Sequence, residues 1–180
     1  MGMFFNLKLE SLEDLLMVEL NDLYDAEKRL CEAIPEMADA AHSPALKAAF
    51  EEHLMQTERQ KSRLEQIFVE LGKASANITC EAMKGLVKEG SEIISSTGSP
   101  QVRDAALIGA AQRVEHYEIA GYGTARTIAK HLGHTNVARL LQTTLDEESE
   151  TDKKLTQIAE QNVNILAEQG STGGYSMGGS

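Results

Sequence analysis

The sequence predicts an all-α fold: a four-helix bundle whose second and third long helices are joined by a long crossover holding a short fifth helix. Three observations carry this. Ala, Leu, Glu, Gln and Lys abound, runs of β-branched residues are few, aromatic residues make up 4% and Trp is absent, a composition that favours helix. Four long stretches repeat apolar residues at i, i+3, i+4 and i+7, the mark of one buried helical face. Serine, proline and glycine punctuate those stretches where helices start and stop.

In chain order, residues 1–10 (MGMFFNLKLE) read as a short apolar arm, with Phe4, Phe5 and Leu7 available to dock on the bundle or on a partner subunit. Ser11 opens the first helix, with Asp14 three positions on as a variant capping box. Its stripe runs Leu12, Leu16, Leu20, Leu23, Leu30, Ile34, Met37, and Pro35 is expected to kink the helix or end its regular part. The short link from Ala40 to Pro44 returns the chain antiparallel. Ser43-Pro44 supplies an N-cap and a first-turn proline. The second helix carries Leu46, Ala49, Phe50, Leu64, Ile67, Phe68 and Leu71 on one face and stops at Gly72. Thr79 is expected to cap a shorter helix through Ile94, weakened at Gly85 and Gly90 by about 1 kcal/mol each relative to Ala. The stretch 73–99 therefore reads as a crossover connection rather than a core helix. Ser99-Pro100 starts the third long helix and Gly133 ends it, with Leu107, Ala110, Ala111, Val114, Gly121, Ala125 and Ile128 on its apolar face. After a tight turn at Gly133-His134-Thr135, the fourth long helix presents Val137, Leu141, Leu145, Leu155, Ile158 and Ala159 and is expected to end near Gly170. One domain thus spans 1–170, and the Gly/Ser-rich tail 171–180 is expected to be a flexible arm.

Composition narrows the function. A chain of 180 residues, 42% hydrophobic and 25% charged, can bury a substantial core. A net charge of −11 argues against non-specific binding to DNA or to anionic membranes. No apolar run is long enough to span a bilayer, and no cationic start precedes an apolar segment, so neither a membrane span nor a signal peptide is expected. Cys31 and Cys80 lack a CxxC partner and read as reduced thiols of a cytoplasmic protein.

Each long helix interrupts its apolar stripe with one polar residue: Glu27, His53, Glu118 and Glu148. At about 100° per residue each falls within roughly 30° of its stripe centre. Their heights also match. Glu27 and His53 are each about 13 residues, or roughly 20 Å, from the first turn, and Glu118 and Glu148 each about 15 residues from the second. Three carboxylates and an imidazole then converge at mid-bundle. Unpaired buried charges are too costly to keep, and clustered carboxylates repel until they take up protons. A divalent cation removes both problems, and oxygen donors with one imidazole suit iron or manganese. Glu115, one turn from Glu118, and Asp152, one turn from Glu148, sit at the edges of their stripes and extend the candidate metal-ligand set to Glu27, His53, Glu115, Glu118, Glu148 and Asp152. Tyr24, Tyr117 and Tyr122 flank the inner faces as packing residues or donors to the ligands, and Gln56, Thr57 and Gln60 line the same region. Glu19 is read as peripheral, and His116, Glu147, His131 and His134 as facing solvent.

At these residues the chain resembles a known group. ELNDLYDAEKRL (19–30), HLMQTERQKSRLEQIF (53–68), RVEHYEIAGYGTAR (113–126) and LLQTTLDEESETDKKL (140–155) together resemble the YciE/YciF-like family of the ferritin-like superfamily, over about residues 7–168. The resemblance implies a ferritin-like four-helix bundle with a crossover between its second and third helices, a homodimer, a di-iron site and an association with stress responses. One departure is visible. Ferritin-like carboxylate proteins place Glu-x-x-His on two helices, yet Phe50 stands three residues before His53 and Thr151 three after Glu148.

Three functions follow. A metal-dependent redox enzyme of oxidase or peroxidase type would bind two irons and consume O2 or peroxide. A metal-binding structural or stress protein would use the metal, iron or manganese, to hold the bundle together. A metal-free dimeric bundle would serve as a structural or interaction module, its four buried polar residues forming a hydrogen-bonded network or binding water. No nucleic-acid or membrane partner is expected in any of them.

Overall fold

A computed structural model describes residues 9–172 of the chain. The expected arm at Phe4, Phe5 and Leu7 and the Gly/Ser tail beyond 172 lie outside the described residues. The helices are α1 (Leu12–Ala40), α2 (Pro44–Glu70), α3 (Glu81–Ile94), α4 (Pro100–His131) and α5 (Thr135–Ile158), followed by a π-turn (Ala159–Val163) and α6 (Asn164–Thr172). The all-α, ferritin-like bundle is formed by α1, α2, α4 and α5, and among the described residues there is no strand. No helix among the described residues is long and apolar enough to cross a membrane.

Local chemistry sets the boundaries. The Ser11 hydroxyl accepts from the Asp14 amide at 3.1 Å, and the Ser43 hydroxyl from the Leu46 amide at 3.4 Å, each satisfying a donor that the first turn leaves orphaned. At the C-termini of α2 and α4, Gly72 (φ 62°) and Gly133 (φ 81°) take the left-handed conformation. The following amides, Lys73 and His134, reach back to the carbonyls of Phe68 and Ala129, closing Schellman-type caps.

Helix α1 contains Pro35 and runs on to Ala40, where the first link was expected to begin. The structure corrects three local expectations. Ser99 precedes α4 as expected, but its hydroxyl turns to Gln101 Oε1 at 2.8 Å instead of capping. The N-cap of α3 is Cys80, not Thr79: its thiol sulfur accepts from the Met83 amide at 3.3 Å. The last long helix is interrupted by the π-turn, whose signature is the Asn164 amide bonding to the Ala159 carbonyl.

Level contacts define the topology. The α1–α2 loop meets the start of α4, where Asp104 accepts from the backbone amides of His42 (2.8 Å) and Ser43 (2.6 Å). The end of α2 meets the start of α5 through Glu70 and Asn136. The segment between α2 and α4 must therefore travel the length of the bundle, and α3 is part of it. Three side chains on one face of α1 hold it down. Asn21 Oδ1 accepts from the Ala76 amide at 2.5 Å, Asp25 Oδ2 from the Cys80 amide at 2.8 Å, and Asp22 from the Cys80 thiol at 3.2 Å. The crossover is more than a connection, because Cys80 and Met83 are fully buried in the core.

The core is in two apolar halves. One gathers Leu30, Ile34, Leu46, Phe50, Leu107, Val114 and Leu155, among others. The other is built around Leu16, Leu20, Leu23, Leu64, Ile67, Tyr122, Ala125 and Leu141. Between Phe50 and Leu64 every buried residue of α2 is polar, and the same holds between Leu141 and Leu155 of α5. That polar layer holds the candidate site.

Candidate metal centre

Each candidate ligand is delivered by the helix whose stripe it interrupts. Glu27 comes from α1 between Leu23 and Leu30, His53 from α2 after Phe50, Glu115 and Glu118 from α4 between Val114 and Tyr122, and Glu148 from α5 between Leu141 and Leu155. The four glutamates are fully buried and His53 nearly so. One ligand atom from each of His53, Glu115 and Glu148 lies within 4.8 Å of the others. His53 Nε2 is 3.1 Å from Glu115 Oε1. Glu27 and Glu118 complete the layer, each close enough to Glu148 and Glu115 for the charges to repel.

The carboxylates are starved of donors. Glu27 Oε1 accepts from the Tyr122 hydroxyl, while Glu27 Oε2, both oxygens of Glu115, Glu118 and Glu148, and His53 Nδ1 have no hydrogen-bond partner. Burial, reinforced by neighbouring carboxylates, holds Glu118 and Glu148 well above the ordinary 4.5. Burial and Glu148 raise Glu27 in the same way, against the opposing pull of the Tyr122 hydrogen bond and of His53. Glu115 is pushed up to about 7, chiefly by burial and further by Asp152, while a proton donated from Glu148 lowers it. That last contact is a hydrogen bond only when Glu148 holds a proton, since two carboxylates have none to share.

The sequence-predicted residues divide clearly. Glu27, His53, Glu115, Glu118 and Glu148 come together. Asp152 is half-buried and turned to Gln112 Nε2 at 3.0 Å and His116 Nε2 at 3.3 Å, on the outer side of α4. Thr151, where the Glu-x-x-His pattern would put histidine, bonds Gln56 Oε1 and the Glu147 carbonyl. Phe50 packs in the apolar half. The second α4 glutamate, Glu115, stands in the group with His53 and Glu148.

Glu147 does not simply face solvent, as the sequence had suggested. It is half-buried and clamped by Arg63 Nη1 at 2.9 Å and Nη2 at 3.1 Å, and by Gln60 Nε2 at 3.1 Å. Two features escaped the sequence reading. Arg63 also donates to Thr144 Oγ1, and Tyr117, Asp22 and the Cys80 thiol form a hydrogen-bonded cluster one residue from Glu118. Tyr117 and Asp22 are 95 positions apart, so no local pattern announces them.

The donor set fits a hard or borderline divalent cation. It offers eight carboxylate oxygens and one imidazole, with no thiolate in the group that could hold an ion.

Comparison with known proteins agrees with this architecture. Protein YciF of Escherichia coli (strain K12) is 45% identical over 163 residues, 90% of this chain and 98% of that protein. The crystal structure of the E. coli stress protein YciF superposes with a TM-score of 0.84 at 46% identity, covering 87% of this chain and 99% of that one. The structure of YcfI from Rhodopseudomonas palustris does so with a TM-score of 0.82 at 40% identity, covering 87% and 99%. A family model described as Domain of unknown function (DUF892) matches residues 11–168. With that match over most of its length, the chain belongs to the DUF892 family and is YciF-like.

Proposed function

We propose that this chain is a metal-binding bundle protein whose buried carboxylate layer holds iron, two ions to a chain, with manganese as the alternative occupant. The carrying observation is the fully buried carboxylate pair Glu118 and Glu148, whose four oxygens accept no hydrogen bond, beside Glu115, whose Oε1 faces His53 Nε2 at 3.1 Å. Four carboxylates balance two divalent cations, whereas one cation would leave two uncompensated charges in an apolar interior. Glu27, His53, Glu115, Glu118 and Glu148 would hold the ions. Iron, when bound, supplies one-electron cycling and reactivity toward O2 or peroxide. The chain's own part is to keep the layer dry between its two apolar halves and to fix Glu27 through the Tyr122 hydroxyl. The likeness to a protein described as a stress protein supports a stress-linked role. A cytoplasmic homodimer is part of the same proposal, in keeping with the free thiols of Cys31 and Cys80.

Elemental analysis after controlled iron and manganese loading tests this. About two irons per chain in the wild type, lost in Glu118→Ala with helicity intact, is the expected result. A second reading rests on the Glu148–Glu115 contact, which becomes a hydrogen bond on protonation. There the acids are neutral and the bundle is a metal-free structural or interaction module. No bound metal under any loading selects it.

A further inference from the structure

A closed layer of buried ligands raises the question of how an ion reaches it. We propose that the seam between α2 and α5 is the cation entry port, with a mouth at Glu52, Glu150 and Lys154 and a throat at Gln56 and Thr151. This rests on the metal-binding reading above. A cavity of about 40 Å³ opens there from the surface, and its lining runs from these five side chains to His53. His53 therefore stands between the outside and the carboxylates, lining the cavity while its Nε2 lies 3.1 Å from Glu115 Oε1.

Three features suit the seam to a cation. Its size admits a water or an ion that has shed part of its hydration, not an organic substrate. Its throat offers the Gln56 side-chain oxygen and the Thr151 hydroxyl, 3.2 Å apart, neutral oxygen ligands that replace hydration water without trapping the ion. Its mouth carries two carboxylates and one ammonium, and the Lys154–Glu52 bridge (2.5 Å) lies across it, so attraction of a cation competes with that bridge. Two other cavities do not reach the layer. The one between α1, α3 and α4 is lined by Leu30, Met37, Leu86, Val87 and Val114. The one at the α1–α2 loop is lined by no member of the cluster. Farther along the α2–α5 seam, Arg63 Nη1 pairs with Glu147 Oε2 at 2.9 Å.

Manganese(II) uptake by the apo full-length protein, followed by loss of the free-ion electron paramagnetic resonance signal, tests the port. Thr151→Phe is expected to slow uptake at least tenfold while the final metal content by elemental analysis stays at the wild-type value. Lys154→Glu is expected to speed uptake several-fold and to steepen its salt dependence; because Lys154 is at the surface, this arm holds even if Thr151→Phe fails to fold. Wild-type rates in either folded variant overturn the port alone. No uptake by the wild type overturns the metal reading and the port with it.

Discussion

Glu118 makes no hydrogen bond through either oxygen and is surrounded by Glu27, Glu148 and Glu115. A buried acid of this kind costs stability unless a cation offsets it, and replacing buried ionic groups by apolar ones of similar volume commonly stabilises by ~1–4 kcal/mol. Glu118→Leu is therefore expected to raise the apo protein's unfolding free energy in urea by about 1–2 kcal/mol while abolishing metal binding; a loss of stability would show that Glu118 is already satisfied. Tyr122 carries the complementary prediction. Its hydroxyl is Glu27's one donor, so Tyr122→Phe should weaken metal affinity about 10–100-fold in competition titrations, with helicity unchanged. These residues differ in how far the sequence disclosed them. Glu27, His53, Glu118 and Glu148 stood out because each breaks an apolar stripe, and helical spacing alone put them inside. Glu115 read only as a stripe-edge residue, because its burial depends on how α4 is rotated against α2 and α5. Asp152 has nearly the same local signature, yet it finds Gln112 and His116 outside. Periodicity resolves a face but not which edge of it a neighbour covers.

The helices themselves were legible from caps and spacing, since N-cap serines, first-turn prolines and left-handed glycines act within a few residues. So were the crossover and its short helix, but not what holds them to the bundle. Their attachment comes from Asn21, Asp22 and Asp25 of α1, polar residues whose partners lie 55 or more positions away. Asp25 shows what the attachment is worth. Burial works against its charge, but the Cys80 amide and Arg29 outweigh it and hold the carboxyl below its usual range. Asp25→Ala should cost about 2 kcal/mol in urea unfolding and speed hydrogen exchange at the Cys80 amide. An unchanged exchange rate would mean that α3 is held by Met83 packing alone. The α1–α4 crossing is set by a different constraint. A Cβ at Gly121 would come within 2.9 Å of Leu23 Cδ2, and Leu23 is itself fully buried. Gly121→Ala gains helix propensity but must displace Leu23, so a net loss of about 1 kcal/mol is expected. The π-turn at Ala159–Val163 has no counterpart in the apolar spacing, which reads the same whether one turn holds an extra residue or not.

For the whole molecule, the buried layer divides the core, so protons and metal compete for one set of groups at its centre. The unfolded chain titrates its glutamates near 4.5, whereas the native cluster holds Glu27, Glu118 and Glu148 well above that and Glu115 at about 7. Between the two ranges the native state binds more protons than the unfolded state, so the unfolding free energy falls as pH rises. Their contribution is fully present below the unfolded pKa and is lost as pH climbs through the native values. The apo protein is thus expected to melt at a lower temperature at pH 8 than at pH 5.5. A divalent cation flattens the slope, because binding displaces the protons, leaving the native state as proton-free as the unfolded chain, and tightens as they become easier to remove. At a hundredfold excess over its dissociation constant the ion adds ~2.7 kcal/mol, about 5–10 °C for a domain of this size. The increment should be largest at pH 8 and shrink toward pH 5.5. Differential scanning calorimetry across that range, with and without manganese(II), checks both slopes. An apo melting temperature that rises with pH would mean that the acids are paired by something other than protons. A metal increment that ignores pH would place the ion on exposed carboxylates instead of in the layer between the two apolar halves.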